Sequence, residues 1–293
     1  MALAIIINPV SGGGRDRGRE RAARAAATLD AIGQRGDVFV SERPGHAREL
    51  AAAAVVRGAT IVASWGGDGT MNEVASALVG TSCALALVPL GSGNGLARTL
   101  EVATDPVQAL VDACRASPRS IDAGRCGNGD WFFSVAGVGF DAHVAARFDR
   151  LGRGRRGFIT YARVVASDLL AYRARRYRVD GATTDRPALL VTIANARQFG
   201  NGALIAPAAR LDDGLFDVVV VEERSRLGLL LSIPRLFDGS IGGVAGVTTR
   251  RLPRVRIEDD APFAYHVDGE PRTAADGRLE LTAHPAVLRV VVR

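Results

Sequence analysis

Three glycine-rich segments, each directly after a short apolar run, constrain this fold more than any other feature of the chain. They read Asn8-Pro9-Val10-Ser11-Gly12-Gly13-Gly14, Ser64-Trp65-Gly66-Gly67-Asp68-Gly69-Thr70 and Pro89-Leu90-Gly91-Ser92-Gly93-Asn94-Gly95. The preceding apolar runs cover residues 3–7, 60–64 and 85–88, and a further run covers 38–40. Residues 17–32, 47–57 and 71–79 have helical spacing, the first two stopped by Gly33 and Gly58. This alternation predicts an α/β domain with a doubly wound parallel sheet and helices on both faces. In such a sheet, ligands bind beyond the carboxyl ends of the strands. Glycine lets the backbone bring N–H groups onto a phosphate there, and a helix N-terminus adds its dipole.

Gly66, Gly67, Asp68, Gly69 and Thr70 form the strongest of the three signals. A short carboxylate at Asp68 can hold Mg²⁺ through water or take a proton. Thr70 can cap the following helix and donate to a phosphate oxygen. An isolated GGDG is equally an ordinary Asp-Gly turn. Three such loops on one sheet are harder to attribute to turns. None of them contains the GK[ST] of a P-loop.

The character changes after Ser117-Pro118. Short β-like runs follow at 131–135, 189–193, 216–221, 255–257, 279–281 and 287–292, separated by Gly and Asp turns, with one helix at 158–172. The sequence therefore divides into an α/β domain, 1–122, and a mostly antiparallel, β-rich domain, 123–286.

A chain of 293 residues that is 47% hydrophobic can bury one large core or two smaller ones, which argues against disorder. The net charge is +6 and all 37 basic residues are Arg, so any side-chain cation on a phosphate is a planar guanidinium fork. Aromatics are only 5%, and the Arg residues are scattered outside any nucleic-acid module, which disfavours nucleic acid as partner. Cys83, Cys114 and Cys126 lack CxxC pairing, which disfavours a disulfide framework or zinc site and suits a reducing cytosol. The apolar start lacks a basic n-region and cleavage site, and no run of 18 apolar residues occurs; neither a signal peptide nor a transmembrane helix is expected.

INPVSGGGR, GGDGTMNEV, PLGSGNGLAR and VDGE, in this order, resemble the catalytic domain shared by diacylglycerol kinases, sphingosine kinases and their soluble bacterial lipid-kinase relatives. The resemblance covers essentially the whole chain. It implies an α/β domain followed by a β-sandwich domain, with the final strand near 287–293 returning to the first. It implies ATP as donor, Mg²⁺ as cofactor, a lipid hydroxyl as acceptor at a membrane surface, and a role in phospholipid biosynthesis. By the same likeness the protein is cytoplasmic and peripheral to the membrane; a homodimer stays open.

Carried over residue by residue, the nucleotide site comprises Asn8, Ser41, Gly66, Gly67, Asp68, Gly69, Thr70, Met71, Asn72, Ser92 and Asn94. Arg210-Leu211-Asp212-Asp213-Gly214-Leu215 matches a structural Mg²⁺ loop, with Asp213 as side-chain ligand and Arg210 and Leu215 as main-chain ligands, a donor set suited to a hard cation. Glu270 matches the general base, and Asp141, in Gly137-Val138-Gly139-Phe140-Asp141, a head-group ligand. Without the resemblance, Glu270 reads as a solvated turn residue, Asp213 as part of a hairpin turn and Asp141 as a helix cap. His46, His143, His266 and His284 lack metal spacing and read as structural or exposed. Arg153, Arg155 and Arg156 can meet anionic head groups or lie in a solvated loop.

The reading is an ATP-dependent lipid kinase acting on diacylglycerol or a related lipid. A GSGN loop favours a sphingoid-base or ceramide kinase instead. An NAD-type kinase shares the GGDG loop, but VDGE and the Asp-Asp-Gly segment speak against it. A non-catalytic nucleotide-binding regulator has no chemical need for Asp68, Thr70 and Glu270 together.

Overall fold

The computed structural model describes residues 2–13, 17–91, 93–151, 158–184 and 186–292. They form two compact units, one of Met1–Ile121 with Ala286–Arg293 and one of Asp122–Pro285.

The first unit alternates as its sequence predicts: β1 (Leu3–Ile7), α1 (Gly18–Ala31), β2 (Gly36–Val40), α2 (His46–Val56), β3 (Ile61–Gly66), α3 (Asp68–Leu78), β4 (Ala84–Pro89), α4 (Gly95–Thr99) and α5 (Pro106–Arg115). The strands are parallel in the order β2-β1-β3-β4. Every residue of β1 and β3 is buried, as a strand covered on both faces requires. Leu3, Ile5, Ile7, Ala63 and Val88 pack with Ala25 and Leu29 of α1 and Leu110 of α5. On the other face Ile6, Val62 and Leu85 are buried, as are Ala51 of α2 and Val74 and Leu78 of α3. Because β1 lies between β2 and β3, the connections leaving β1 and β3 run in opposite directions. That is the topological switch point at which open α/β sheets bind ligands.

The second unit contains most of β5 (Pro118–Cys126), then β6 (Trp131–Phe132), β7 (Val135–Gly139), α6 (Phe140–Leu151), α7 (Phe158–Ala171), β8 (Arg178–Val179), β9 (Ala182–Thr183), β10 (Ala188–Ala194), β11 (Phe216–Glu222), α8 (Arg226–Ser232), β12 (Val247–Leu252), β13 (Arg254–Glu258), β14 (Phe263–Val267) and β15 (Glu270–Ala274). One sheet is antiparallel in the order β12-β11-β10-β7-β14-β15. Its inner residues, among them Val138, Val191, Ile193, Phe216, Tyr265 and Val267, pack with Val179, Val255, Ile257 and Leu281 of the opposing layer, giving a sandwich core. Its other face carries Val135, Leu189, Leu190 and Val219 beneath Phe140 and Val144 of α6 and Leu169 of α7.

Four local expectations change. The run 131–135 is two strands, because the N–H groups of Phe133, Ser134 and Val135 turn onto the Asp268 carboxylate. The runs 279–281 and 287–292 belong to one strand, β16 (Arg278–Val291), whose residues 278–282 pair with β13 and residues 289–291 with β4. Between them Ala286 has φ +53° in the left-handed region, where the chain passes from the second unit back to the first. The helix expected from Met71 begins three residues earlier, at Asp68, and α6 and α8 join the one helix foreseen in this half.

Candidate active site

The loop after β1 is built by a buried cation. Arg21 of α1 is 7% exposed and donates to the carbonyls of Asn8 (2.7 Å), Pro9 (3.3 Å) and Ser11 (2.7 Å). Burial lowers its pKa, with Arg17 acting in the same direction. This guanidinium is committed to shaping the loop; nothing in an Ala-rich helical stretch announced it.

The loop after β3 is joined to both of the other glycine loops. Asn8 Nδ2 donates to Thr70 Oγ1 at 2.8 Å, across the switch point. Asp68 Oδ2 accepts the N–H of Asn94 (2.8 Å) and Oδ1 that of Gly95 (2.9 Å), at the start of α4. The carboxylate is thus a two-pronged clasp, in addition to any role toward metal or proton. Gly67 and Gly91 meet backbone to backbone: a Cβ on Gly91 would lie 2.9 Å from Gly67 Cα, and one on Gly67 3.3 Å from Gly91 Cα. A side chain on Gly91 would prise the loops apart, and one on Gly67 would press on Gly91. Asn94 closes the third loop by accepting Gly91 N–H (3.0 Å) and donating to the Gly91 carbonyl (2.6 Å), in an αL conformation with φ +51°.

Thr70 does not cap α3. Gly67 stands at that position, without a side-chain cap, and the Thr70 hydroxyl faces Asn8. Ser41 is buried beyond the end of β2, with its N–H on Ile7 O at 2.8 Å, extending the ladder toward the same edge. Met71 is 5% exposed and packs inward, while Asn72, half-buried, accepts from Ser76 Oγ at 3.4 Å. Glu73, unremarked within its motif, accepts the N–H groups of Gly45 (3.0 Å) and Ala47 (3.1 Å) and so anchors the start of α2. Ser92 and the Arg153, Arg155 and Arg156 cluster lie outside the described residues.

In the second unit, Asp268 and Gly269 form a two-residue hairpin turn between the paired Val267 and Glu270, with φ of +47° and +86°. Both central residues at positive φ match a type I′ turn, for which Asp-Gly is a favoured pair. The Asp268 carboxylate is buried and accepts Phe133, Ser134 and Val135 N–H at 2.9, 2.8 and 3.1 Å. Glu270 follows as the exposed first residue of β15.

Asp141 lies one residue into α6, over the outer face of the sheet. Thr192, Gly137 and His266 are aligned across β10, β7 and β14. The carboxylate accepts from Thr192 Oγ1 (3.0 Å) and Ala142 N–H (2.7 Å), and its Oδ2 is 3.4 Å from His266 Nε2. A Cβ on Gly137 would collide with Asp141 Oδ2, so glycine makes this convergence sterically possible. Thr192 was invisible in the sequence because its meaning depends on register.

The Asp213 segment carries a cation of its own. Asp213 Oδ1 accepts Leu215 N–H at 3.0 Å, and Oδ2 is paired with the Arg251 guanidinium. Arg251 stands opposite Asp217 in the β11–β12 register, and burial raises the Asp217 pKa while Arg251 lowers it. The Arg210 side chain turns to Asp212, at 3.1 Å, and leaves the role expected of Arg210 to its main-chain oxygen. Arg251 thus already neutralises Asp213, and an Mg²⁺ held by Asp213 with the main-chain oxygens of Arg210 and Leu215 would have to share that carboxylate with the guanidinium.

The chain thus comprises a parallel α/β unit with three glycine loops joined at its switch point and a β-sandwich unit carrying the Asp141 and Glu270 carboxylates, and comparison with known proteins gives the family. Residues 2–126 match the diacylglycerol kinase catalytic domain, and residues 134–292 the YegS C-terminal NAD kinase beta sandwich-like domain. A protein named diacylglycerol kinase from Mycobacterium tuberculosis is 32% identical, with 99% of this chain and 94% of that protein covered. One named "Probable lipid kinase YegS-like" from Pseudomonas putida is 31% identical over 87% of this chain and 84% of its own length. A solved diacylglycerol kinase from Bacillus anthracis shares the fold, with TM-score 0.73 at 17% identity, covering 99% of this chain and 96% of that one. The chain belongs to the diacylglycerol kinase family of lipid kinases, and its activity class is ATP-dependent phosphotransfer.

Proposed function

We propose that the protein transfers the γ-phosphate of ATP to the free hydroxyl of diacylglycerol. The observation that carries this reading is the joining of three glycine loops at one sheet edge by Asn8–Thr70 and Asp68–Asn94/Gly95. Phosphoryl transfer asks the protein chiefly for positioning and charge stabilisation. The N-terminus of α3 and the close-packed loops offer N–H groups to phosphate. Asp68 places a carboxylate at the same edge, the kind of group that a water of Mg·ATP binds. Mg²⁺ bound with the nucleotide neutralises charge on the phosphates.

Glu270 is assigned as general base, removing the lipid hydroxyl proton as the P–O bond forms. Its backbone is set by a turn held from below by Asp268, and its side chain is exposed. Asp141 is assigned to the lipid head group.

The acceptor reaches the enzyme from a bilayer, and the second unit has apolar surface for it. Leu227 and Leu231 of α8 are 67% and 71% exposed and one turn apart, with Leu170 of α7 60% exposed. No described helix is long and apolar enough to cross a membrane. Full-length similarity to a protein named diacylglycerol kinase favours that substrate over sphingoid bases and ceramide. Purified protein incubated with labelled ATP, Mg²⁺ and mixed micelles of each lipid tests this. Label is expected in phosphatidic acid; label in sphingosine or ceramide alone would overturn the substrate. Glu270→Gln is expected to bind ATP normally and to lose roughly 10²–10⁴-fold in turnover; an unchanged rate would remove it as base.

A further inference from the structure

We propose that His266 is a positioning residue, tying the turn that presents Glu270 to the Asp141 carboxylate. The inference rests on the assignment of Glu270 as base. His266 is 3% exposed in the interior of the second unit. Its Nδ1 accepts the N–H of Gly269 at 3.3 Å, and its Nε2 lies 3.4 Å from Asp141 Oδ2. These contacts select the tautomer: with Nδ1 accepting, the ring proton sits on Nε2 and points at the carboxylate. One planar group thus joins the backbone residue immediately before Glu270 to the side chain assigned to the lipid head group.

A buried histidine needs a partner for each nitrogen, and packing alone satisfies that anywhere. What distinguishes this one is the construction around it. Gly137, opposite His266 in the strand register, has no side chain, and the Asp141 carboxylate enters the space a Cβ would fill. Thr192, on the strand beyond, donates to the same oxygen, so Asp141 is pinned between two strands. The turn is likewise held twice. Asp268 fixes its first residue through three N–H groups of residues 133–135, and His266 fixes its second. Without the second tether the Gly269 peptide can rotate, because glycine opposes it with no Cβ. Glu270 is the next residue, and a small rotation there displaces its carboxylate by about an ångström. Misplacement of that size costs a reaction up to roughly 100-fold.

Three variants separate the two contacts. His266→Asn puts an amide oxygen near the Nδ1 position and keeps the tether to Gly269. His266→Gln puts an amide nitrogen near Nε2 and keeps only the contact to Asp141. His266→Leu keeps neither. With diacylglycerol micelles and saturating ATP, His266→Leu is expected to lower kcat roughly 10- to 100-fold with KM for ATP unchanged. His266→Asn should keep a higher kcat than His266→Gln. Combined with Glu270→Gln, His266→Leu should add no further loss, since it acts through the residue already removed. Should His266→Leu fail to fold, the Asn and Gln variants decide alone. Equal kcat for those two, or an additive loss in the double variant, would overturn the proposal. Full turnover by Glu270→Gln alone would instead remove the base assignment on which it rests.

Discussion

Asn8 and Thr70, 62 positions apart in the chain, share a 2.8 Å hydrogen bond from the Asn8 amide to the Thr70 hydroxyl. It closes the gap between the loops that leave β1 and β3 in opposite directions. Thr70→Val keeps the shape and removes the acceptor. Since Thr70 is buried, the expected loss is about 1 kcal/mol of unfolding free energy, with a several-fold higher KM for ATP. Urea unfolding and initial rates measure the two quantities. Unchanged values in both would mean that the loops are not coupled through this bond.

Asp68 offers a sharper distinction. If its work is to clasp Asn94 and Gly95, Asp68→Asn turns one accepting oxygen into a donor facing an N–H. A loss of about 2 kcal/mol is then expected along with impaired ATP binding, as for other hydrogen bonds to charged groups. If it serves only metal or proton, stability stays put while kcat falls. Thermal unfolding of the ligand-free protein separates the outcomes.

The Asp213–Arg251 pair predicts indifference to magnesium. Without nucleotide, the melting temperature of the wild-type protein should be the same in EDTA and in millimolar Mg²⁺. Arg251→Ala frees Asp213 next to the buried Asp217, so this variant should melt lower and should gain stability from added Mg²⁺. A wild-type protein that is itself stabilised by Mg²⁺ would instead support the metal loop that the sequence suggested.

The cysteines set the alkaline limit. Burial pushes the Cys83 thiol up to about 11 and that of Cys126 to about 12. Both are therefore protonated, and should resist a disulfide reagent at pH 8 until the chain unfolds. A group with a raised native pKa contributes stability that is complete below its unfolded value of 9.0 and is lost as pH rises through the native value. The melting temperature should begin to fall above about pH 9. Rapid reaction of Cys126 in the native protein at pH 8 would contradict this.

What the sequence made legible was local. Glycine after an apolar run identified each loop of the first unit, because backbone freedom and strand periodicity are written within a few residues. Asp68, Asn8 and Asn94 were all named, yet as separate members of a nucleotide site; that they are bound into one network was not readable, because its bonds between loops span from 26 to 62 positions. Arg21, Thr192 and Arg251 gave no signal, being ordinary residues until strand register or helix packing supplies their partners. His266 read as one of four scattered histidines, and only its place opposite Gly137 gives it a role. The 131–135 run misled because an acid 133 residues downstream takes the N–H groups that a continuous strand would use.

The strand β16 ties the assembly of this protein to the order of its synthesis. Its Arg289 lies 207 positions beyond Ser82, whose carbonyl it reaches, and residues 289–291 complete the sheet beside β4. While a ribosome makes the intervening chain, at about 5–20 residues per second, the edge of β4 stays open for roughly 10–40 s. An unpaired edge is a template for foreign strands. The nascent first unit must therefore wait with β1, β3 and β4 made but with one flank unsealed. Chains stalled or clipped before Ala286 keep that flank, and are the species a chaperone or protease would meet first.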